Sequence, residues 1–199
     1  MGTRGVLLAA LVAGVLGLVA GLALNGPGPL LRSEFGQRAV QHAMDAVAPP
    51  PPEGLVVAGR GDMIPAITLP DLAGNPRTLP AGFPDRPLLV NFWASWCGPC
   101  IEEMPELDRF AAGQGDNGVQ VVGIALDDQA AVEDFLARIP VRYPILVDVA
   151  GPRDSGVQLG NQRGVLPYTV LVSAEGRLLK QRIGPFVHGE LDAWAALPE

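Results

Sequence analysis

The pattern of apolar and polar positions changes character twice along the chain. Residues 6–24 are nineteen in a row without a charge, enough helix at 1.5 Å per residue to cross about 30 Å of hydrocarbon. The run reads as a membrane anchor or an uncleaved signal. A secretory signal peptide has an apolar region of roughly 7–15 residues before a small-x-small cleavage site, and Ala20-Gly21-Leu22-Ala23 is a poor one. Gly17 and Gly21 stand at the G-x-x-x-G spacing of a helix-pairing face, although glycine is common in membrane helices anyway. Polar residues then return. Residues 25–29 are turn-rich, and residues 33–47 place Ala39, Val40, Ala43 and Val47 on one side of an amphipathic helix. Residues 49–52 are four prolines, a stiff spacer that holds the C-terminal domain off a bilayer or, alternatively, a docking site for a proline-binding partner.

Beyond residue 62 the period shortens. Residues 66–69 and 77–79 flank the turn Ala73-Gly74-Asn75-Pro76 and predict a hairpin. Leu88–Trp93 is an apolar, β-prone run, followed by a helical pattern over 99–112 and a turn through Gly113, Gly115 and Gly118. Residues 119–125 are nearly all apolar, as a parallel strand buried on both faces should be. Asp127-Asp128 caps a helix to about Arg138, with Ala131, Val132, Phe135 and Leu136 at helical spacing, and Pro140 ends it. A strand over 143–147, a short helix over 153–161, strands Tyr168–Val172 and 177–183 joined by Ser173-Ala174-Glu175-Gly176, and a helix over 188–196 complete the pattern. Alternating strands and helices followed by a hairpin predict an α/β fold, a mixed sheet with helices on both faces. The organisation is a tail (1–5), an anchor (6–24), a linker (25–54) and one domain (55–199).

Composition adds two limits. With 48% hydrophobic residues in 199 the chain has ample material for a core. The net charge of −7 is spread without a basic cluster, which argues against nucleic-acid binding.

The candidate chemistry lies where the strand Leu88–Trp93 gives way to the helical pattern, at Trp96-Cys97-Gly98-Pro99-Cys100. Two residues between cysteines on one helical turn bring the sulfurs within bonding distance. Cys97 falls at the helix N-terminus, where orphan N–H groups and the dipole favour a thiolate, the nucleophilic form. Cys100, one turn inside, is placed to attack a mixed disulfide formed on Cys97 and release the product. Pro99 suits the first turn, where a missing N–H costs nothing. The competing readings are a static disulfide or half a zinc site. These are the only two cysteines, and the only histidines, His42 and His188, lie outside ligand-like spacing. No metal and no cofactor beyond the Cys97-Cys100 disulfide is expected.

The stretch LLVNFWASWCGPCIEEMP resembles the thioredoxin superfamily, and in this form the TlpA/ResA-type membrane-anchored thioredoxins of bacteria, over residues 63–199. The resemblance implies a thioredoxin fold with an N-terminal β-hairpin, an extra αβ unit between Asp128 and Val147, and a preceding transmembrane helix. It implies that Pro167 is a cis-proline beside the disulfide, leaving the main chain of Leu166 free to pair with an extended substrate segment. Tyr168 stands where the family often has Thr, and its bulk is expected to narrow the groove. Ordinary thioredoxins carry a buried Asp where this chain has Asn91, and an amide cannot take the inner cysteine's proton. Glu103, three residues after Cys100 and a glutamate in the resembled proteins, is the candidate acceptor; alternatively Glu102 and Glu103 are solvated acids near a helix start. Trp96 reads as rim or as packing, Gly184-Pro185 as groove lining or a simple turn, and Pro105 as a kink in the helix.

The function implied is a thiol:disulfide oxidoreductase. Gly98-Pro99 between the cysteines is the thioredoxin pair, whose potential is about −270 mV against about −120 mV for the strongest oxidant of the class. That pair implies a reductase of protein disulfides, which in an oxidising compartment needs a membrane electron donor. The resemblance implies a donor of the DsbD/CcdA type, with apocytochrome c or copper-delivery proteins as the expected clients. Arg4 before the apolar run and Arg32 and Arg38 after it leave orientation undecided by charge. The short tail and the resemblance together point to the bacterial inner membrane with the domain in the periplasm. A periplasmic oxidant or isomerase, a thiol peroxidase and a copper chaperone are the rival readings.

Overall fold

Leu88–Trp93, here β3, is apolar at every position but Asn91 and buried along its whole length, the burial that a central strand requires. In the computed structural model, which describes residues 5–6, 12–14, 26, 28–83, 85–115 and 118–197, β3 is the middle of a five-stranded sheet. It pairs in parallel with β4 (Gln120–Leu126) and antiparallel with β6 (Tyr168–Val172). Parallel β5 (Ile145–Asp148) and antiparallel β7 (Leu178–Ile183) complete the order β5-β4-β3-β6-β7. A separate hairpin of β1 (Ile67–Pro70) and β2 (Pro76–Leu79) precedes it. One bridge, Asp71 to Leu146, joins that hairpin to the edge strand β5.

Period-two alternation sorts β3 between two cores. Leu89 and Trp93 join Met104, Leu107, Phe110, Phe135 and Trp194 on one face. Leu88, Val90 and Phe92 join Ile67, Leu79, Ile124 and Tyr168 on the other. The first face is covered by α3 (Gly98–Gly113), α4 (Gln129–Arg138) and the short C-terminal α6 (Glu190–Trp194), while α5 is only Ser155–Gln158. Both α5 and α6 are shorter than their sequence patterns predict. Asp154 caps α5 through the N–H of Val157, so 153 and 154 stay outside it.

The apolar run 6–24 lies almost wholly outside the described residues, as do Gly17 and Gly21; 5–6 and 12–14 are helical. Among the described residues no helix is long and apolar enough to cross a membrane. The chain divides into two compact units, 1–40 and 41–199. In the first, α1 (Gly28–Arg32) begins within the stretch read as turn-rich, with Pro29 in its opening turn. Helix α2 (Glu34–Ala46) runs across the division and is capped by the Ser33 hydroxyl, which accepts from the N–H of Gly36. Its buried side differs from the expected stripe. Ala39, Ala43 and Val47 are exposed, whereas Gly36 and Gln37 are buried and Val40, Gln41 and Met44 half-buried. Within the first unit Gln37 Nε2 donates to the carbonyl of Leu31 at 2.8 Å, and within the second Gln41 Nε2 donates to the carbonyl of Gly160 at 2.9 Å.

Candidate active site

Between the end of β3 and the start of α3 the chain turns through Ala94, Ser95 and Trp96. Asp127 holds that turn: its Oδ2 accepts from the backbone N–H and the hydroxyl of Ser95 at 2.9 and 2.7 Å. Asp128 alone caps α4, accepting from the N–H of Ala130. The two aspartates read as one cap thus divide between two tasks.

Cys97 occupies the N-cap of α3, and its carbonyl accepts the amides of Cys100 and Ile101 at 3.1 Å each. The two sulfurs are bonded, with Cα atoms 5.3 Å apart. Both cysteines are buried, while Trp96, Gly98 and Pro99 are exposed around them. The Leu166–Pro167 peptide is cis. Gly184 donates its N–H to the carbonyl of Pro167 at 2.9 Å and holds φ at +92°, a conformation that favours glycine. Trp96 and half-buried Leu166 line a shared cleft of about 300 Å³ that continues past Gly151, Pro152 and Arg163. Gly184 meets the site through Pro167, and Gly98 and Pro99 stand at the helix tip outside that cleft.

Tyr168 does not narrow the groove. It pairs across the sheet with Phe92 and shares its face, in the core opposite the helix α3. Its hydroxyl donates to the carbonyl of Leu159 and accepts from Gln181, each at 2.9 Å. Alternation along β6 sends the side chain after Pro167 away from the dithiol.

Of the two acids read together on α3, Glu102 is exposed and Glu103 has no accessible surface. Glu103 Oε1 accepts from Asn91 Nδ2 at 2.8 Å, and Oε2 from the N–H of Phe186 at 2.9 Å. Asn91 also donates to the Thr169 hydroxyl at 3.0 Å. Burial pushes the Glu103 carboxyl up to about 7, against the pull of those two hydrogen bonds and of the Arg182 charge. A carboxyl poised there, one helical turn beyond Cys100, exchanges a proton near neutrality. Asn91 serves the site as a donor to this acceptor.

Pro105 lies inside α3, where it leaves the carbonyl of Ile101 without its usual helical donor. Sequence reasoning missed Asp127, Thr169, Arg182 and Phe186. Thr169 and Arg182 were detectable in principle as polar residues within strands, but nothing local marks Phe186, whose contribution is a backbone N–H.

The Redoxin family profile matches residues 60–197. The sporulation thiol-disulfide oxidoreductase A of Bacillus subtilis is 29% identical over 112 residues, 53% of this chain and 64% of that protein. The thiol-disulfide oxidoreductase ResA of Bacillus cereus is 25% identical over 135 residues, 67% of this chain and 75% of the relative. Among solved structures, a putative thiol:disulfide interchange protein DsbE from Chlorobium tepidum superposes with a TM-score of 0.58 at 27% identity, over 68% of this chain and 93% of that one.

Proposed function

The chain belongs to the redoxin family, and we propose that it is a thiol-disulfide oxidoreductase that reduces protein disulfides on the outer side of a bacterial inner membrane. One observation carries the reading: a disulfide at the tip of α3 backed, one turn further on, by the fully buried carboxyl of Glu103. A static staple has no use for a buried acid poised near neutrality.

In the reduced enzyme Cys97 attacks as thiolate, stabilised by the helix N-terminus. Its sulfur bonds one client sulfur, and the other leaves as a thiolate that takes a proton from water. Cys100 then loses its proton to the Glu103 carboxylate and attacks the sulfur of Cys97. The bond from Cys97 to the client breaks, and the second client sulfur leaves as a thiolate that takes a proton from water. The client departs as a dithiol, with the enzyme left as the disulfide seen here. Trp96, Gly98, Pro99, Leu166, Pro167 and Gly184 form the surface on which an extended client segment lies, with the main chain of Leu166 pairing to it. The Gly98-Pro99 pair supports a reducing potential near that of thioredoxin.

An enzyme with that potential in an oxidising compartment needs electrons delivered through the membrane, for which a DsbD/CcdA-type donor is the candidate. Apocytochrome c or copper-delivery proteins are the candidate clients. The uncharged run at 6–24 supports the anchored location.

Trapping tests the whole scheme. Cys100→Ala leaves clients bonded to Cys97, and mass spectrometry after non-reducing separation is expected to find cytochrome precursors or copper carriers there. Adducts of neither kind, in cells assembling both, refute the client assignment. A Cys97→Ser variant that still reduces insulin refutes the mechanism.

A further inference from the structure

The sheet carries one transverse row of small and polar residues beneath α3. Gly123 on β4 pairs with Asn91 on β3, Asn91 with Thr169 on β6, and Thr169 with Arg182 on β7. Glu103 descends from the helix onto Asn91 in the middle of that row. Arg182 ends it, 2% exposed. Its guanidinium grips Glu190 through two bonds of 2.8 and 3.0 Å and donates to the carbonyl of Pro185 at 2.9 Å. It also lies 4.3 Å from the ring centre of Phe186, the residue whose N–H is bonded to Glu103. Glu190 in turn accepts the N–H of Val187. The segment from Pro185 to Val187 is thus held by the Arg182–Glu190 pair on one side and by Glu103 on the other.

We propose that Arg182 is a positioning residue for the redox step: clamped by Glu190, it holds the Phe186 N–H on Glu103 and directs a positive charge toward that carboxylate, keeping it ready to accept the proton of Cys100. The proposal rests on the reading of Glu103 as the proton acceptor. Among the described residues, Glu103 is faced by neutral Asn91 on β3 and by the charge of Arg182 on β7, with Glu190 of α6 as the countercharge to Arg182. Cys100 stands one turn before it on its own helix. Tyr143 lies ahead of β5, its phenol held up by burial and then by the Glu103 charge. His188, in the same segment as Phe186, is turned to Glu106 with its Nδ1 at 3.1 Å. Burial of an arginine is tolerated when its charge is paired; here Glu190 pairs the charge and both terminal nitrogens are bonded, while Nε is buried without a hydrogen-bond partner.

The test reads the pH profile of a single step in the full-length protein in detergent. A fluorescent peptide is linked to Cys97 as a mixed disulfide, and its release by Cys100 is timed between pH 5 and 10. The wild-type midpoint is expected near 7. Arg182→Met is expected to raise it by about one pH unit, and Arg182→Lys, which keeps the charge, to leave it within about half a unit. Glu190→Gln removes the countercharge and is expected to lower it. Loosening of the segment alone would move the Arg182→Met and Glu190→Gln variants in the same direction, so opposite shifts are the signature. In a Glu103→Gln background Arg182→Met is expected to change nothing further. An unmoved midpoint in Arg182→Met, shifts of one sign in both variants, or an Arg182 effect that survives Glu103→Gln overturns the proposal. Should Arg182→Met fail to fold, Arg182→Lys and Glu190→Gln decide it. A wild-type midpoint retained in Glu103→Gln overturns instead the assignment of Glu103.

Discussion

Glu103 and Glu106 stand one turn apart on α3, both nearly inaccessible to water and both accepting a backbone N–H from the segment before α6. They titrate in opposite directions. Glu106 Oε1 and Oε2 receive the Arg109 guanidinium at 2.7 and 2.9 Å and Oε1 the N–H of Gly189 at 2.8 Å. The Arg109 hydrogen bond, foremost, holds its carboxyl down to about 2. Glu103 has two neutral donors and only a more distant cation, so burial wins and its carboxyl rises to about 7. The bonded cation makes one glutamate a latch between helices, and its absence leaves the other with a raised carboxyl, the property on which its proposed role as proton acceptor rests.

The contrast can be broken at several points. The largest effect concerns stability. Folded Glu103 titrates above its ordinary value of 4.5, so between pH 4.5 and 7 the native state keeps a proton that the unfolded chain has released. Its contribution is whole below that window and is lost as pH rises through it, by roughly 3 kcal/mol in all. Urea unfolding of the oxidised protein is expected to follow that slope, and Glu103→Gln to flatten it; an equal slope in both proteins places the titration elsewhere. The same substitution is expected to slow mixed-disulfide release by about 10²-fold at pH 8, measured with the Cys97-linked peptide.

Arg109→Met sharpens the comparison from the other side. Glu106 loses its cation, its carboxyl climbs from about 2 toward the range of Glu103, and stability at pH 7 falls by about 2 kcal/mol. Carboxyl-carbon NMR titration and urea unfolding read the two changes together. The smallest effect is expected at Asp192, the second, exposed partner of Arg109. Asp192→Asn should cost under about 1 kcal/mol, since Arg109 remains bonded to Glu106.

Several features of the fold are legible in the sequence because they depend on near neighbours along the chain. Strand β3, the helix after it and Cys97 at its tip follow from apolar runs and a cysteine pair one turn apart. The stripe on α2 departs from expectation, and Gln41, which no apolar pattern marks, reaches a carbonyl 119 residues away. Tyr168 departs from it because the resemblance says what precedes this residue, whereas the alternation of β6 decides which face it takes. The anchor reading concerns residues that are largely outside those described.

From sequence alone came the dithiol, its place between strand and helix, and the order of elements beyond residue 62, since each is a matter of spacing within a dozen residues. Only the tertiary structure decided which carboxylate is buried without a bonded cation. Phe186 meets Glu103 across 83 residues of chain, and Gly189 meets Glu106 across the same separation. A side chain's acidity is set by what surrounds it in space, and those surroundings are assembled by packing the last quarter of the chain against the helix that carries the cysteines.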